Sequence, residues 1–299
     1  MNPILTIPVP QPFDFTANLA YLSRSPNECM YQIEKGMLYK RIPVGSRYPL
    51  FEVSAQSADA LTVRLLEPYE DWNEPAQASV TRYVREWFDL DTDLAPFYAM
   101  AKEDEILNGL TGPLYGLRNM GIPDLFEAMC WGILGQQINL AFAYTLKRRF
   151  VETFGRNVPC DGPTSWVFPT PQDIAMLQVS DLTALQMTSK KSEYLIGVAR
   201  LIAEGSLTKE QLLSAGSGKE AEKKLVAVRG IGPWTANYVL MRCLREPTAF
   251  PIDDVGLHNA IKHVLGMDRK PTIAEIKEMA KGWTNWEAYA TFYLWRVLY

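Results

Sequence analysis

Hydrophobic and polar positions in this chain change their period near residue 90. Before it, short β-branched and aromatic runs such as Phe51-Glu52-Val53 and Ala60-Leu61-Thr62-Val63-Arg64-Leu65-Leu66 are separated by turns like Ile42-Pro43-Val44-Gly45-Ser46. That pattern predicts an antiparallel sheet. Among these runs Val80, Tyr83, Val84 and Trp87 recur at helical spacing and predict a helix over residues 78–88. From Leu94 onward the apolar positions recur at three and four, and Pro or Gly falls between segments instead of inside them, so this part reads as all-helical. Two helix starts are legible, Asp124 ahead of Leu125-Phe126-Glu127-Ala128 and Thr170-Pro171 ahead of Ile174-Ala175-Met176-Leu177. The expected fold class is α+β: an N-terminal sheet unit with helices over residues 1–90, then a helical unit over residues 91–299. No internal repeat or low-complexity segment points to a solenoid.

Composition changes this picture little. Hydrophobic residues make up 47% of the 299 positions and charged residues 21%, proportions of a chain that folds throughout. No apolar run approaches the roughly 18 residues of a membrane span, and the start, Met1-Asn2-Pro3-Ile4-Leu5, has no basic-then-apolar leader, so a cytoplasmic setting with no membrane partner is expected. Cys29, Cys130, Cys160 and Cys243 are far apart and suggest neither a disulfide framework nor a metal site. Charge adds more. The net value of −4 divides into −7 for residues 1–108 and +3 for residues 109–299, and residues 219–245 carry six basic side chains (Lys219, Lys223, Lys224, Arg229, Arg242, Arg245) against Glu220 and Glu222. Any nucleic-acid surface belongs in this second part, although such a run is more often simply a solvated face.

The chemistry gathers in the same region. Leu225-Val226-Ala227-Val228-Arg229-Gly230-Ile231-Gly232-Pro233-Trp234-Thr235-Ala236-Asn237-Tyr238 reads as helix, tight hairpin and a new helix opening at Pro233. Its two glycines allow a sharp turn with positive φ and leave backbone N–H groups open to an approaching phosphate. Taken alone, Gly-x-Gly is also an ordinary helix-to-helix turn. Further on, Phe250-Pro251-Ile252-Asp253-Asp254-Val255 puts two carboxylates at a helix start, where either aspartate could serve simply as the N-cap.

Taken together, hairpin and aspartate resemble the helix-hairpin-helix/Gly-Pro-Asp superfamily of base-excision DNA glycosylases, nearest the 3-methyladenine DNA glycosylase II (AlkA) type. The likeness extends to Phe88-Asp89-Leu90, Gly116-Leu117-Arg118, Ile133-Leu134-Gly135-Gln136-Gln137, Phe168-Pro169-Thr170-Pro171, and Trp283 with Trp286, Tyr289 and Trp295. It covers residues 85–299 well; before them it is carried mainly by Pro12-Phe13-Asp14-Phe15. The resemblance implies a two-lobed helical domain, one lobe over residues 125–246 with the hairpin, the other from residues 91–124 and 247–299. It also implies a monomer that acts on double-stranded DNA containing alkylated bases.

Matching positions gives Asp254 the role of the catalytic aspartate, with Asp253 as neighbouring cap. Trp234 stands where the bifunctional branch carries a Schiff-base lysine, so hydrolysis to an abasic site without strand cleavage is implied. No cysteine follows Cys243, which excludes the iron-sulfur branch. The extruded base would meet Trp234, Tyr238, Trp295 and, from the N-terminal unit, Tyr21, because electron-rich rings hold a cationic base. Val255 departs from the tyrosine that relatives place there. Gln137 or Ile138 would fill the gap left by the base, Gly230 and Gly232 would hold a phosphate, and Lys190 or Lys191 would assist. No cofactor is required; the carbonyls of Val226, Val228 and Ile231 would hold a structural monovalent cation, Na or K. His258 and His263 read as surface or helix-face residues. Two other functions account for parts of the pattern: a glycosylase for deaminated or oxidised bases, and a non-catalytic hairpin module that binds DNA.

Overall fold

The computed structural model describes residues 2–158 and 165–298 of the chain; Cys160 lies outside them. Alternation in the first 65 residues folds into one five-stranded antiparallel sheet of β1 (Ile4–Pro8), β2 (Tyr31–Glu34), β3 (Met37–Arg41), β4 (Leu50–Ser57) and β5 (Ala60–Leu65). The strand order is β1-β5-β4-β3-β2. Along β5 the period of two is explicit: Leu61, Val63 and Leu65 are buried while Ala60, Thr62 and Arg64 are half-buried. The helix read over residues 78–88 begins earlier, at Glu74–Phe88, because Asn73 accepts the Ala76 N–H and a proline is tolerated in the first turn. It buries Val80, Val84, Trp87 and Phe88.

Beyond residue 90 helices dominate. Asp124 caps Leu125–Leu134, and Thr170 with Asp173 forms a capping box on Pro171–Ala175. One expectation is corrected: Arg156–Asn157 and Trp166–Val167 pair as a two-stranded ladder within the part read as all-helical. Two-residue strands are too short to show a period. Phe97 packs its ring against Trp286, Tyr289 and Tyr293, joining residues 91–124 to the C-terminal segment. All ten residues of Leu125–Leu134 are buried, and a Cβ at Gly132 would lie 2.6 Å from the Thr235 methyl, so the helix Pro233–Arg242 packs tightly on it.

The sheet unit is tied to the helices by polar contacts. Arg118 is fully buried and donates to the carbonyls of Thr92, Pro10 and Pro12. Gly116 has φ +81°, and a Cβ there would sit 2.8 Å from the Phe13 carbonyl carbon, so only glycine allows this approach. Lys147 on Leu140–Phe154 bridges Glu28 at 3.2 Å and Glu127 at 3.1 Å. Cys29, Cys130 and Cys243 are free thiols, and among the described residues no helix is long and apolar enough to cross a membrane.

Candidate active site

The hairpin links the helices Gly218–Val226 and Pro233–Arg242. Its two glycines do different work. Gly230 has φ +93°, and a Cβ on it would fall into the ring of Tyr194. Gly232 has φ −87° and ψ 174°, ordinary extended backbone, and a Cβ there meets nothing. The reading that both glycines serve positive φ is therefore corrected: Gly232 is the exposed N-cap, and leaves the first N–H groups of the second helix open. Gly230→Ala is expected to lose about 1–3 kcal/mol of stability from backbone strain alone and to weaken DNA binding. Gly232→Ala should shift stability by less than about 1 kcal/mol; paired thermal melts and duplex-binding titrations check both.

Asp254 stands twenty residues after Trp234, at the N-terminus of Val255–Val264. Its Oδ1 accepts the Leu257 N–H at 2.7 Å, so Asp254 is itself the cap, and the assignment of the cap to Asp253 is corrected. Asp253 is exposed. Two indoles complete the arrangement: Trp234 Nε1 donates to Oδ2 at 2.7 Å and Trp295 Nε1 to Oδ1 at 2.8 Å. Three donors thus fix a carboxylate that can accept about four hydrogen bonds, leaving one lone-pair direction for substrate. His258 donates to or accepts from nothing catalytic; its Nε2 lies 2.7 Å from the Ile252 carbonyl and steadies the loop before Asp254. His263 is exposed.

Tyr238 lies between the two indoles. Its ring centroid is 5.7 Å from that of Trp234, near-parallel, and 6.2 Å from that of Trp295. The structure therefore brings three of the four expected rings together around Asp254. Tyr21 sits one layer behind, buried, with Phe292 at 4.8 Å and the Arg24 guanidinium over its face at 3.8 Å. It lines a cavity of about 50 Å³ with Tyr238, and its covered faces are not open for stacking. Val255 is 61% exposed beside Asp254.

The turn after Leu125–Leu134 faces the hairpin. Gln136 Nε2 donates to the Gly230 carbonyl at 2.9 Å and the Thr235 hydroxyl at 3.1 Å, a role the sequence signalled only through its place beside Gln137. Gln137 is exposed with φ +57°, whereas Ile138 is half-buried against the core. Lys191 is corrected as a phosphate contact: it is buried, donates Nζ to the Leu134 carbonyl at 2.7 Å, and burial lowers its pKa. Lys190 remains exposed. The basic run also shrinks, because Arg242 is buried and Arg245 donates to the carbonyls of Asn119 and Glu86. Arg242, missed as a site residue, was readable one helical turn after Tyr238.

A hairpin with open backbone N–H groups and a carboxylate fixed among aromatic rings fit an enzyme that works on an extruded nucleotide. Residues 130–286 match the HhH-GPD superfamily base excision DNA repair proteins, and residues 19–129 match the 8-oxoguanine DNA glycosylase N-terminal domain. The chain belongs to the HhH-GPD superfamily and is a DNA glycosylase. It is 54% identical to the DNA-3-methyladenine glycosylase of Bacillus subtilis (strain 168), over 100% of this chain and 98% of that one. Identity to DNA-3-methyladenine glycosylase 2 of Escherichia coli (strain K12) is 33%, over 74% and 73% of the two chains. The solved 3-methyladenine DNA-glycosylase from Archaeoglobus fulgidus has the same fold, with TM-score 0.83 at 23% identity, covering 98% of this chain and 97% of that one.

Proposed function

We propose that this glycosylase hydrolytically releases alkylated purines such as 3-methyladenine from double-stranded DNA and leaves an abasic site without cutting the strand. The observation that carries the reading is Asp254 held by Trp234 and Trp295, with an indole where a Schiff-base reaction needs an amine. The names of the Bacillus subtilis relative, matched over nearly its whole length, and of the Escherichia coli relative, matched over about three quarters, support the substrate.

Gly230 and Gly232 engage a phosphate through the backbone, and Gln137, exposed on its tight turn, enters the stack as the nucleotide rotates out. The base lodges against Trp234, Tyr238 and Trp295. As the C1′–N bond breaks, its electron pair leaves with the base and positive charge builds on the deoxyribose. At about 4 Å and an effective dielectric of about 20, the carboxylate of Asp254 stabilises that charge by roughly 4 kcal/mol. Water adds to C1′ and gives up a proton. An alkylated cationic purine departs neutral, so no partner acid is needed. The carbonyls of Val226, Val228 and Ile231 have the chemistry to hold a Na or K ion beside the phosphate: Val228 O accepts the Ile231 N–H at 3.0 Å and keeps a second lone pair. The enzyme acts as a monomer.

The test is incubation of the purified protein with methylated duplex DNA, with free bases and alkali-labile sites both quantified. Release of 3-methyladenine with strands intact until alkali is the expected result. Binding without release, or cleavage without alkali, overturns it.

A further inference from the structure

The rings of the proposed base site are backed by guanidinium groups that no carboxylate of the described residues answers. Arg242 is 4% exposed and donates Nη1 to the Tyr238 hydroxyl at 3.1 Å and Nε to the Met120 carbonyl at 2.6 Å. Arg24 lies over Tyr21 and donates to the Tyr21 carbonyl at 2.9 Å, and Arg296, next to Trp295, is 5.6 Å from the same ring. Among the described residues no carboxylate lies within 4.0 Å of these three groups. The cavity behind Tyr238 is lined by Arg24 and Arg242 as well as by Lys40, Lys147, Glu28 and Glu127. The lysines and glutamates balance one another, which leaves both guanidinium charges uncompensated. Tyr21 registers this field: burial raises its hydroxyl pKa, but Arg24, Arg242 and Arg296 more than offset that and bring it below the usual tyrosine value.

Stacked rings favour a cation, whereas charges of this sign behind them favour an anion. A neutral purine takes the electron pair of its broken C1′–N9 bond and builds negative charge as it leaves; solvent protonates it afterwards. We propose that Arg24 and Arg242 are specificity-determining residues, whose charge behind Tyr238 stabilises a departing neutral purine and so sets the enzyme's action on neutral against cationic damaged bases. This rests on the base site proposed above.

Single-turnover release of hypoxanthine, a neutral leaving base, and 7-methylguanine, a cationic one, separates the possibilities. Arg24→Gln should lower the hypoxanthine-to-7-methylguanine rate ratio about tenfold, while Arg24→Lys stays near wild type. Arg296→Gln, which removes a half-buried charge at the cluster's edge, should move the ratio the same way by less, and stands in if Arg24→Gln does not fold. A loss of packing slows both substrates alike, so an unchanged ratio overturns the proposal. Wild-type protein that frees 7-methylguanine but no hypoxanthine also overturns it, whereas release of neither base defeats the reading of the site itself.

Discussion

Asp254→Asn should fold, bind duplex DNA and release alkylated bases about a thousandfold more slowly than the wild type. The size follows from the charge. Removing a carboxylate worth roughly 4 kcal/mol to the developing sugar cation corresponds to about three powers of ten in rate. Folding survives because asparagine caps helices nearly as well as aspartate, so the Leu257 N–H keeps an acceptor. An amide has only one oxygen, however, while Trp234 and Trp295 donate to different oxygens of the carboxylate. One indole N–H must then lose its partner or face an NH₂ group, so a modest fall in melting temperature should accompany the kinetic loss. Single-turnover base release with parallel duplex titration is the measurement. Undiminished release would remove Asp254 from the chemistry; loss of binding in step with release would make its role structural.

Lys147→Met is expected to reduce stability by about 3–5 kcal/mol, the usual consequence of deleting one member of a buried ion cluster. Lys147 is 8% exposed and lies between Glu28, from the sheet unit, and Glu127. Burial raises the Glu28 pKa, but Lys147, with help from the Met30 N–H and Lys40, brings it below the usual glutamate value. In the wild type its stabilising contribution is therefore complete above the unfolded-state pKa near 4.5 and fades as pH falls through the lower folded value. Without Lys147 only the Met30 N–H and Lys40 oppose the burial of Glu28, and its folded pKa is expected to rise above the unfolded one. Acidification from pH 7 to pH 5 should then stabilise the variant. Thermal unfolding at the two pH values distinguishes this from simple loss of packing, which leaves the pH slope unchanged.

The sheet and most helix starts were legible because strict alternation and Asp, Asn or Thr caps are local signals. The roles given to Asp254 and Trp234 come from the resemblance, by position relative to the hairpin; the structure adds that the two side chains are hydrogen-bonded. Lys191 departs from expectation because a lysine near such a hairpin looks the same in sequence whether its ammonium meets solvent or a buried carbonyl. The cap moved from Asp253 to Asp254 for a similar reason: adjacent aspartates differ only in which reaches back to Leu257. Tyr21 is named only through the resemblance and proves to lie behind the rings. Arg24, which crosses the same boundary between sheet and helices, is not read at all, because contacts that distant in sequence leave no periodic trace.

The amide of Gln136 joins the hairpin to the turn that carries Gln137. In the function proposed above, this bond ties the handhold to the probe. On the proposed reading, each new phosphate grip would present the same side chain at the same offset along the strand. Every base pair would then meet the same geometry, and discrimination would fall to how readily the pair yields.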